Sequence, residues 1–207
     1  MDSYAMDAFS TRDPERISSE NLVDHVLSGS ASETTDPSTT TTTSLVEHPL
    51  LGKWDLYYHL PQNKNWDLAS YKRIMGDIDT AEKLVSIGEA LTDNVMKFCM
   101  LFVMREGISP MWEDPRNRNG GFFSYKVANK YVPEVWKTLF YALCGESLSK
   151  NPKYSRLING ITVSPKKSFC IVKIWLTDLT MQDGGQIIDI PKLTKNGVAF
   201  KAHKPEF

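Results

Sequence analysis

At 207 residues, with 41% hydrophobic and 11% aromatic side chains, the chain is long enough to form one domain with a hydrophobic core. No apolar run approaches the ~20 residues that cross a membrane, and the amino terminus lacks the basic-then-apolar order of a signal peptide. We therefore expect a soluble, intracellular protein. The formal net charge of -1 hides an asymmetry, because residues 1–47 hold nine acidic and two basic side chains, whereas residues 48–207 hold 16 acidic and 22 basic ones. The basic body suits an anionic partner, although a mildly basic solvated surface explains the same charge.

Residues 1–46 form an acidic segment rich in Ser and Thr, with an unbroken run of hydroxyl side chains at 38–44. The segment has no sustained apolar period and cannot bury enough surface to offset its ordering entropy. We predict a disordered tail with a transient helix around residues 21–27, followed by one folded domain over residues 47–207. A docking motif or phosphorylation sites in the tail are alternatives to a plain spacer.

The first half of the domain predicts two strands, a helix and a third strand. Residues 54–60 alternate apolar and polar side chains, which is typical of a half-buried strand. Residues 70–78 indicate a second strand, and a cap at Asp79-Thr80 begins a helix that runs to about residue 91. Residues 95–104 are mostly apolar, aromatic or β-branched, so we predict a buried central strand there.

The second half continues the same alternation of strands and helices. Residues 122–127 resume strand character, and an amphipathic helix over residues 132–145 has Pro in its favoured first turn and Gly at its end. Residues 160–164 and 169–175 predict a pair of strands, and residues 198–203 a last edge strand. Antiparallel strands with amphipathic helices between them imply an α+β domain whose helices layer on one face of the sheet.

Several residue types point away from metal sites and catalysis. The three cysteines sit in apolar surroundings without metal-ligand spacing, so we predict buried free thiols and neither a metal, a disulfide nor a cofactor. A Gly-rich phosphate loop and the common nucleophile motifs are missing, and the four histidines are scattered. We therefore predict that the chain is not an enzyme. The alternative is a nucleotide hydrolase in which Glu113 acts on a bound nucleotide.

The stretch from Gly107 to Phe123 is the most informative part of the sequence. It sets an indole, Trp112, beside the carboxylate of Glu113 on a loop bounded by prolines, and the Gly120-Gly121 pair leads from it into an aromatic strand. An indole face attracts a stacked cation, and a neighbouring carboxylate can accept from two donors of a base. A guanine methylated at N7 is a ligand of this kind.

These residues, together with the opening His48-Pro49-Leu50 and the segments from Trp136 to Ser147, resemble eukaryotic translation initiation factor 4E, the mRNA cap-binding protein. Four motifs occur in the family's order, and the resemblance covers roughly residues 47–175. It implies a strongly curved antiparallel sheet with helices on the convex back and a cap slot on the concave front. It also implies a cytoplasmic location, with the nucleus left open, and a monomer that has no contact with a membrane.

The resemblance also implies roles for individual residues in the slot. Trp66 and Trp112 sandwich the 7-methylguanine, Glu113 accepts from the guanine edge, and Trp175 touches the methyl group. Core packing is the ordinary explanation for an indole. We apply it to Trp54 and Trp136, and for Trp175 both explanations stay open.

The cap phosphates need cations, and the resemblance assigns Lys166 and Lys167 to them. Ile171 and Phe122 stand where the family has a lysine and an arginine, so we expect fewer phosphate contacts than usual and, as a hypothesis, a weaker affinity or a preference for altered caps.

The convex back is where the family binds scaffold and repressor proteins of the initiation factor 4G or 4E-binding type. The opening His48, Pro49 and Leu50 is retained. Val85 stands in place of an exposed Trp, and Lys137 and Tyr141 replace apolar residues, which leaves that partner in question.

Capped mRNA is thus the predicted partner, and translation initiation the predicted process. Three alternatives stay open: a cap-binding repressor or competitor that does not recruit the scaffold, a general module for single-stranded RNA or nucleotides, and an interaction domain whose aromatic residues are all core.

Overall fold

One seven-stranded sheet organises the chain, and the computed structural model describes it over residues 46–193 and 198–203. The predicted tail up to Leu45, with its helix around residues 21–27, lies outside the described residues, so the division at residue 46 stays a prediction. The strand order is β2-β1-β3-β5-β6-β4-β7, and every pairing is antiparallel. The strands are β1 Pro49–His59, β2 Lys72–Thr80, β3 Met100–Arg105, β4 Gly121–Ala128, β5 Ile158–Pro165, β6 Phe169–Leu176 and β7 Ala199–Ala202.

Helices cover one face of this sheet. They are α1 Ala81–Ala90, α2 Asp93–Phe98, α3 Val132–Cys144 and the short α4 Pro152–Ser155. The predicted α+β class is confirmed, as are the helix that follows Thr80 and the helix that Gly145 ends. In the described part of the chain, no helix combines the length and the apolar character needed to span a membrane.

The core lies between the helices and the sheet because alternate strand residues point to that face. Trp54 and Trp136 are 0% and 1% exposed, which confirms their assignment to the core. All three cysteines are buried there as free thiols, and burial raises the pKa of Cys99 to about 11.

The predicted strand over residues 95–104 is wrong in its first half. The segment Asp93–Phe98 is helical, and only Met100–Arg105 is a strand. The helix has local support, since the Thr92 side chain accepts from the Val95 amide and Lys97 pairs with Asp93 at 3.0 Å. These capping and i,i+4 interactions outweigh the strand preference of the apolar side chains.

A partly buried ion pair ties the end of β3 to the end of α3. Arg105 donates to both carboxylate oxygens of Glu146 and also to the Ser155 and Ile158 carbonyls, at 2.9 Å each. Its guanidinium stacks over the Trp54 ring at 4.4 Å. This fixes the strand from which the Trp112 loop leaves.

Candidate functional site

The sheet face away from the helices carries a second, smaller apolar cluster. Phe102, Met104, Ile108 and Trp175 are its buried members, and Tyr71 is among the partly buried residues packed against them. Pairing across the sheet sets Phe102 beside Thr162 and Thr162 beside Lys173, so this face mixes aromatic, hydroxyl and cationic side chains. It forms a floor onto which two loops project.

The first loop joins β1 to β2 and presents Trp66, which is 51% exposed. One face of its indole stacks on the His59 ring, with centroids 4.3 Å apart and planes 2° apart. His59 is fully buried, and its Nε2 lies 2.9 Å from the Asn65 carbonyl oxygen. Asp67 caps the following turn by accepting from the Ser70 amide at 3.0 Å. The loop therefore supports one face of Trp66 while the indole stays half exposed.

Tyr71 connects this loop to the floor and to the second loop. Its ring lies 6.4 Å from Trp66 and 5.3 Å from Phe102, measured between centroids. Burial raises the pKa of Tyr71 to about 12, and the negative charge of Glu113 adds to the increase. Glu113 thus lies within electrostatic range of the residue that packs beside Trp66.

The second loop runs from β3 to β4 and presents Trp112 and Glu113 at its exposed tip, with Trp112 37% exposed. Asp114 accepts from the Ser109 amide at 2.8 Å and from the Arg116 amide at 2.9 Å. Burial alone would raise the pKa of Asp114, but these amides and the Arg116 charge lower it below its ordinary value. The carboxylate therefore stays ionised and holds the turn.

Asn117 fixes the same loop from inside. It is fully buried, and its amide donates to the Ser109 and Met111 carbonyls at 3.0 and 2.8 Å. Asn159 on β5 donates in turn to the Asn117 side-chain oxygen at 3.0 Å. Sequence reasoning missed both asparagines. Their buried amides satisfy backbone groups that the irregular loop would otherwise leave unpaired.

Trp175 belongs to the floor rather than to a loop. It is 6% exposed, and its indole N–H donates to Thr162 at 2.8 Å. The His203 ring lies 5.0 Å from Trp175 and 5.4 Å from Phe122. Burial lowers the pKa of His203 to about 4, with the Lys173 charge adding to the effect, so this histidine is neutral at physiological pH.

Cations lie along the sheet face that carries Trp175. Lys166 and Lys167 are exposed in the turn between β5 and β6, and Lys173 lies with its ammonium 4.3 Å from the centre of the Phe122 ring. Burial, then the charges of Lys166 and Lys201, lower the pKa of Lys173. Sequence reasoning missed Lys173 and Lys201. The alternation of β6, which puts residue 173 on the face of Trp175, is the signal that could have found the first.

The convex back differs from an apolar groove. Val85 is 52% exposed on α1, while Glu89 accepts from Lys137 at 2.9 Å and from Tyr141 at 3.0 Å, so a polar bridge joins α1 to α3. At the opening of β1, the His48 ring nitrogen lies 2.6 Å from Glu82, beside Pro49 and the half-buried Leu50.

The sequence profile of one family, described as eukaryotic initiation factor 4E, matches residues 49–206. That range is well over half of the chain. The chain belongs to this family. The match to a family of initiation factors also confirms that the chain is not an enzyme.

Individual relatives agree with the family assignment. The eukaryotic translation initiation factor 4E homolog of Acanthamoeba polyphaga mimivirus is 47% identical over 62 residues, which are 30% of this chain and less than a quarter (23%) of that protein. The eukaryotic translation initiation factor 4E of Eremothecium gossypii is 27% identical over 164 residues, 76% of this chain and 71% of that protein. A solved complex of C. elegans eIF4E-3 with the 4E-binding protein Mextli and cap analog has a TM-score of 0.57 at 28% identity, covering 65% of this chain and 77% of that one. These similarities confirm the fold that the resemblance to the initiation factor 4E family predicts for this chain.

Proposed function

We propose that this chain binds the 7-methylguanosine cap of mRNA and acts in translation initiation in the cytoplasm. The observation that carries the proposal is the pair of exposed indoles, Trp66 and Trp112, on two loops that internal hydrogen bonds fix. Both loops anchor in the same apolar cluster, one through Tyr71 and the other through Ile108. The solved C. elegans eIF4E-3 complex with a cap analog supports it, since that protein belongs to the same family.

The base stacks between the free face of Trp66 and Trp112. Methylation at N7 makes the base cationic, and each cation-π contact contributes roughly 0.5 to 2 kcal/mol. With two such contacts, the binding free energy of methylated guanine is more favourable than that of plain guanine by a few kcal/mol. Glu113 accepts from the N1–H and the exocyclic amine, which orients the base and rejects bases without that donor pair.

Trp175 lies at the base of the slot, toward the methyl group. Lys166 and Lys167 bind the cap phosphates, and Lys173 and Lys201 join them because their charges act on the same face of the sheet. The two added cations compensate for the apolar Ile171 and Phe122. All four are lysines, which bind phosphate as point charges without the two-pronged fork of arginine.

Fluorescence titration with 7-methyl-GTP and with GTP tests the base site. We expect saturable quenching of tryptophan fluorescence by 7-methyl-GTP, at least tenfold weaker binding of GTP, and loss of most affinity in Glu113→Gln. The exposed Glu106→Gln, outside the proposed slot, is the matched control and should bind like the wild type. Equal responses to both nucleotides would contradict the cap site and favour a general nucleotide or single-stranded RNA module.

We propose further that the convex back binds a scaffold or repressor protein of the initiation factor 4G or 4E-binding type, with a different set of contacts. The Glu89 bridge to Lys137 and Tyr141 supports a changed binding mode, because it places charge where an apolar peptide face would pack. A pull-down with a peptide that carries a tyrosine and a downstream leucine tests this. Cap binding without peptide binding would favour a competitor that occupies caps but recruits no scaffold.

A further inference from the structure

An open cleft of about 390 Å³ lies at the far end of β4 and β6 from Trp175. Its lining combines two aromatic rings with two lysines, and its members are Lys126, Ala128, Tyr131, Ser168, Phe169 and Lys192. None of these six residues takes part in the cap site proposed above.

The two lysines of this cleft, and the neighbouring Lys130, lie over aromatic rings. The Lys126 ammonium lies 4.2 Å from the centre of the Phe169 ring, and the ammonium groups of Lys192 and Lys130 lie 5.1 and 4.8 Å from that of Tyr131. The lysine–carboxylate pairs seen within residues 46–193 and 198–203 are formed by other lysines, namely Lys53, Lys83, Lys97, Lys137 and Lys150. Their charge is therefore available to an anionic ligand.

The strand register connects the cleft to the cap site. Lys201 pairs with Phe122, Ser124 with Lys173, and Lys126 with Ile171, so the three lysines lie on the face of Trp175 at successive levels of β4. With a rise of about 3.4 Å per residue, the six-residue step from Phe122 to Ala128 spans about 20 Å. A row of cations thus runs along this face from the level of Trp175 to the cleft, where Lys166 and Lys167 lie in the adjoining β5–β6 turn.

We propose that this cleft, the Tyr131–Phe169 cleft, binds a nucleotide of the RNA chain that follows the cap. Lys126 and Lys192 leave the ring faces to contact its phosphate, and its base stacks on the half-buried ring of Phe169. Cations interleaved with aromatic faces are the chemistry of single-stranded nucleic-acid sites, because every base has a π face and every linkage a charge. The inference rests on the proposed cap function, because cap binding holds the first nucleotide of the RNA on the sheet face that carries this row of lysines.

The test compares 7-methyl-GTP with a capped RNA of about eight nucleotides, long enough to reach the cleft. Both ligands are titrated at several salt concentrations into wild-type protein. We expect the capped RNA to bind at least fivefold more tightly and with a steeper salt dependence, because the cleft adds phosphate contacts that the mononucleotide cannot make.

Two changes in the cleft identify it as the source of this gain. The double variant Lys126→Ala, Lys192→Ala should lower the slope of log affinity against log salt by about 1.4 for the capped RNA, at about 0.7 for each lost phosphate contact. Phe169→Leu, which keeps an apolar side chain but removes the ring, should cost about fivefold or more. Both variants should bind 7-methyl-GTP within twofold of the wild type, which also shows that they are folded. Lys97→Ala on α2, where the lysine already pairs with Asp93, is the matched control and should change neither ligand.

Capped RNA that binds no better than 7-methyl-GTP, or a gain that survives all the cleft variants, would overturn the inference and leave the cap site intact. Failure of 7-methyl-GTP itself to bind would instead overturn the proposed function. Binding of an uncapped RNA of the same length that is lost in the cleft variants would support the cleft alone.

Discussion

At the scale of single residues, His59 determines how Trp66 is presented. The imidazole lies flat beneath the indole, is fully buried, and is fixed by the Asn65 carbonyl of the same loop. A stacked pair of this kind contributes about 0.5 to 1.5 kcal/mol beyond the area it buries. In the proposed cap site, we therefore expect His59 to position the stacking face of Trp66 rather than to contact the ligand.

Replacing this ring tests that role. We expect His59→Ala to weaken 7-methyl-GTP binding about two- to tenfold, because Trp66 loses its support, and His59→Phe to restore much of the affinity. Isothermal titration of both variants checks this. Phe140→Leu, which removes a ring stacked on Trp136 in the opposite core, should lower stability without changing affinity. Equal affinities of the wild type and His59→Ala would refute the positioning role.

His203 gives a prediction about pH. Its pKa falls from 6.5 to about 4 in the folded protein, so between these values the unfolded chain binds a proton that the folded chain does not. Stability therefore decreases as pH falls through this window, by less than about 1.4 kcal/mol per pH unit for this one group. Urea unfolding of the wild type and of His203→Gln from pH 7 to pH 4 measures the difference. We expect the variant to lose less stability, and parallel profiles would contradict the assignment.

At the scale of elements, close backbone approach explains the Gly120-Gly121 pair. A Cβ on Gly120 would lie 1.8 Å from the Leu176 carbonyl oxygen, and one on Gly121 would lie 2.4 Å from the Lys201 carbonyl oxygen. The pair lets β4 enter the sheet between β6 and β7 directly after the Trp112 loop.

We therefore expect Gly120→Ala to destabilise the protein by at least about 2 kcal/mol, because backbone must move to accept the methyl group. Chemical denaturation measures this. The exposed Gly185→Ala is the matched control, since its nearest contact is the Asp183 carboxylate at 3.0 Å, a side-chain end that can move, and we expect a change within about 0.5 kcal/mol. Similar midpoints for the two variants would contradict the account of β4.

Most of the strands and helices could be predicted from the sequence. The strands at 54–60, 122–127, 160–164 and 169–175 and the helices that begin after Thr80 and at Val132 follow from periodicity and end signals, and the structure has them. The helix over residues 93–98 could not be predicted in this way, because the apolar content of the segment favours a strand. The Thr92 cap and the Asp93–Lys97 ion pair stabilise the helix instead.

The site was only partly readable for a different reason. Exposed Trp66 and Trp112 stand out on polar or Pro-bounded loops. The Asn117–Asn159 bond and the grouping of Lys173 with Lys201 depend on which segments become neighbours in the fold, and no local pattern encodes that. The His59–Trp66 stack depends on how the loop after β1 folds back, which side-chain alternation does not predict.

At the scale of the whole molecule, the two faces of the sheet have different roles. One face buries the large core beneath α1, α2 and α3, which gives a stable support. The other has only a small apolar cluster and carries loops, a neutral histidine and lysines. Because the large core stabilises the sheet, the loops on the other face can hold exposed side chains without themselves adding much to core packing.

The charge of the amino-terminal segment should act on this cationic face. Deleting residues 1–46 removes eight acidic and two basic side chains, so the remaining chain is more positive. We expect tighter binding of capped RNA at low salt and little difference at about 1 M salt, where the screening length is about 3 Å. Titrations of both forms measure this, and stability should be unchanged. An increase in affinity that persists at high salt would show that the segment acts by contact rather than by charge.

Two-dimensional NMR of the tryptophan indole N–H groups tests the central claim most directly, because the five indoles report separately on the slot and on the core. On adding 7-methyl-GTP, the account predicts large shifts for Trp66 and Trp112, little change for buried Trp54 and Trp136, and much smaller effects with GTP. Unchanged signals from Trp66 and Trp112, or the same shifts with either nucleotide, would contradict a slot built to recognise the methylated base.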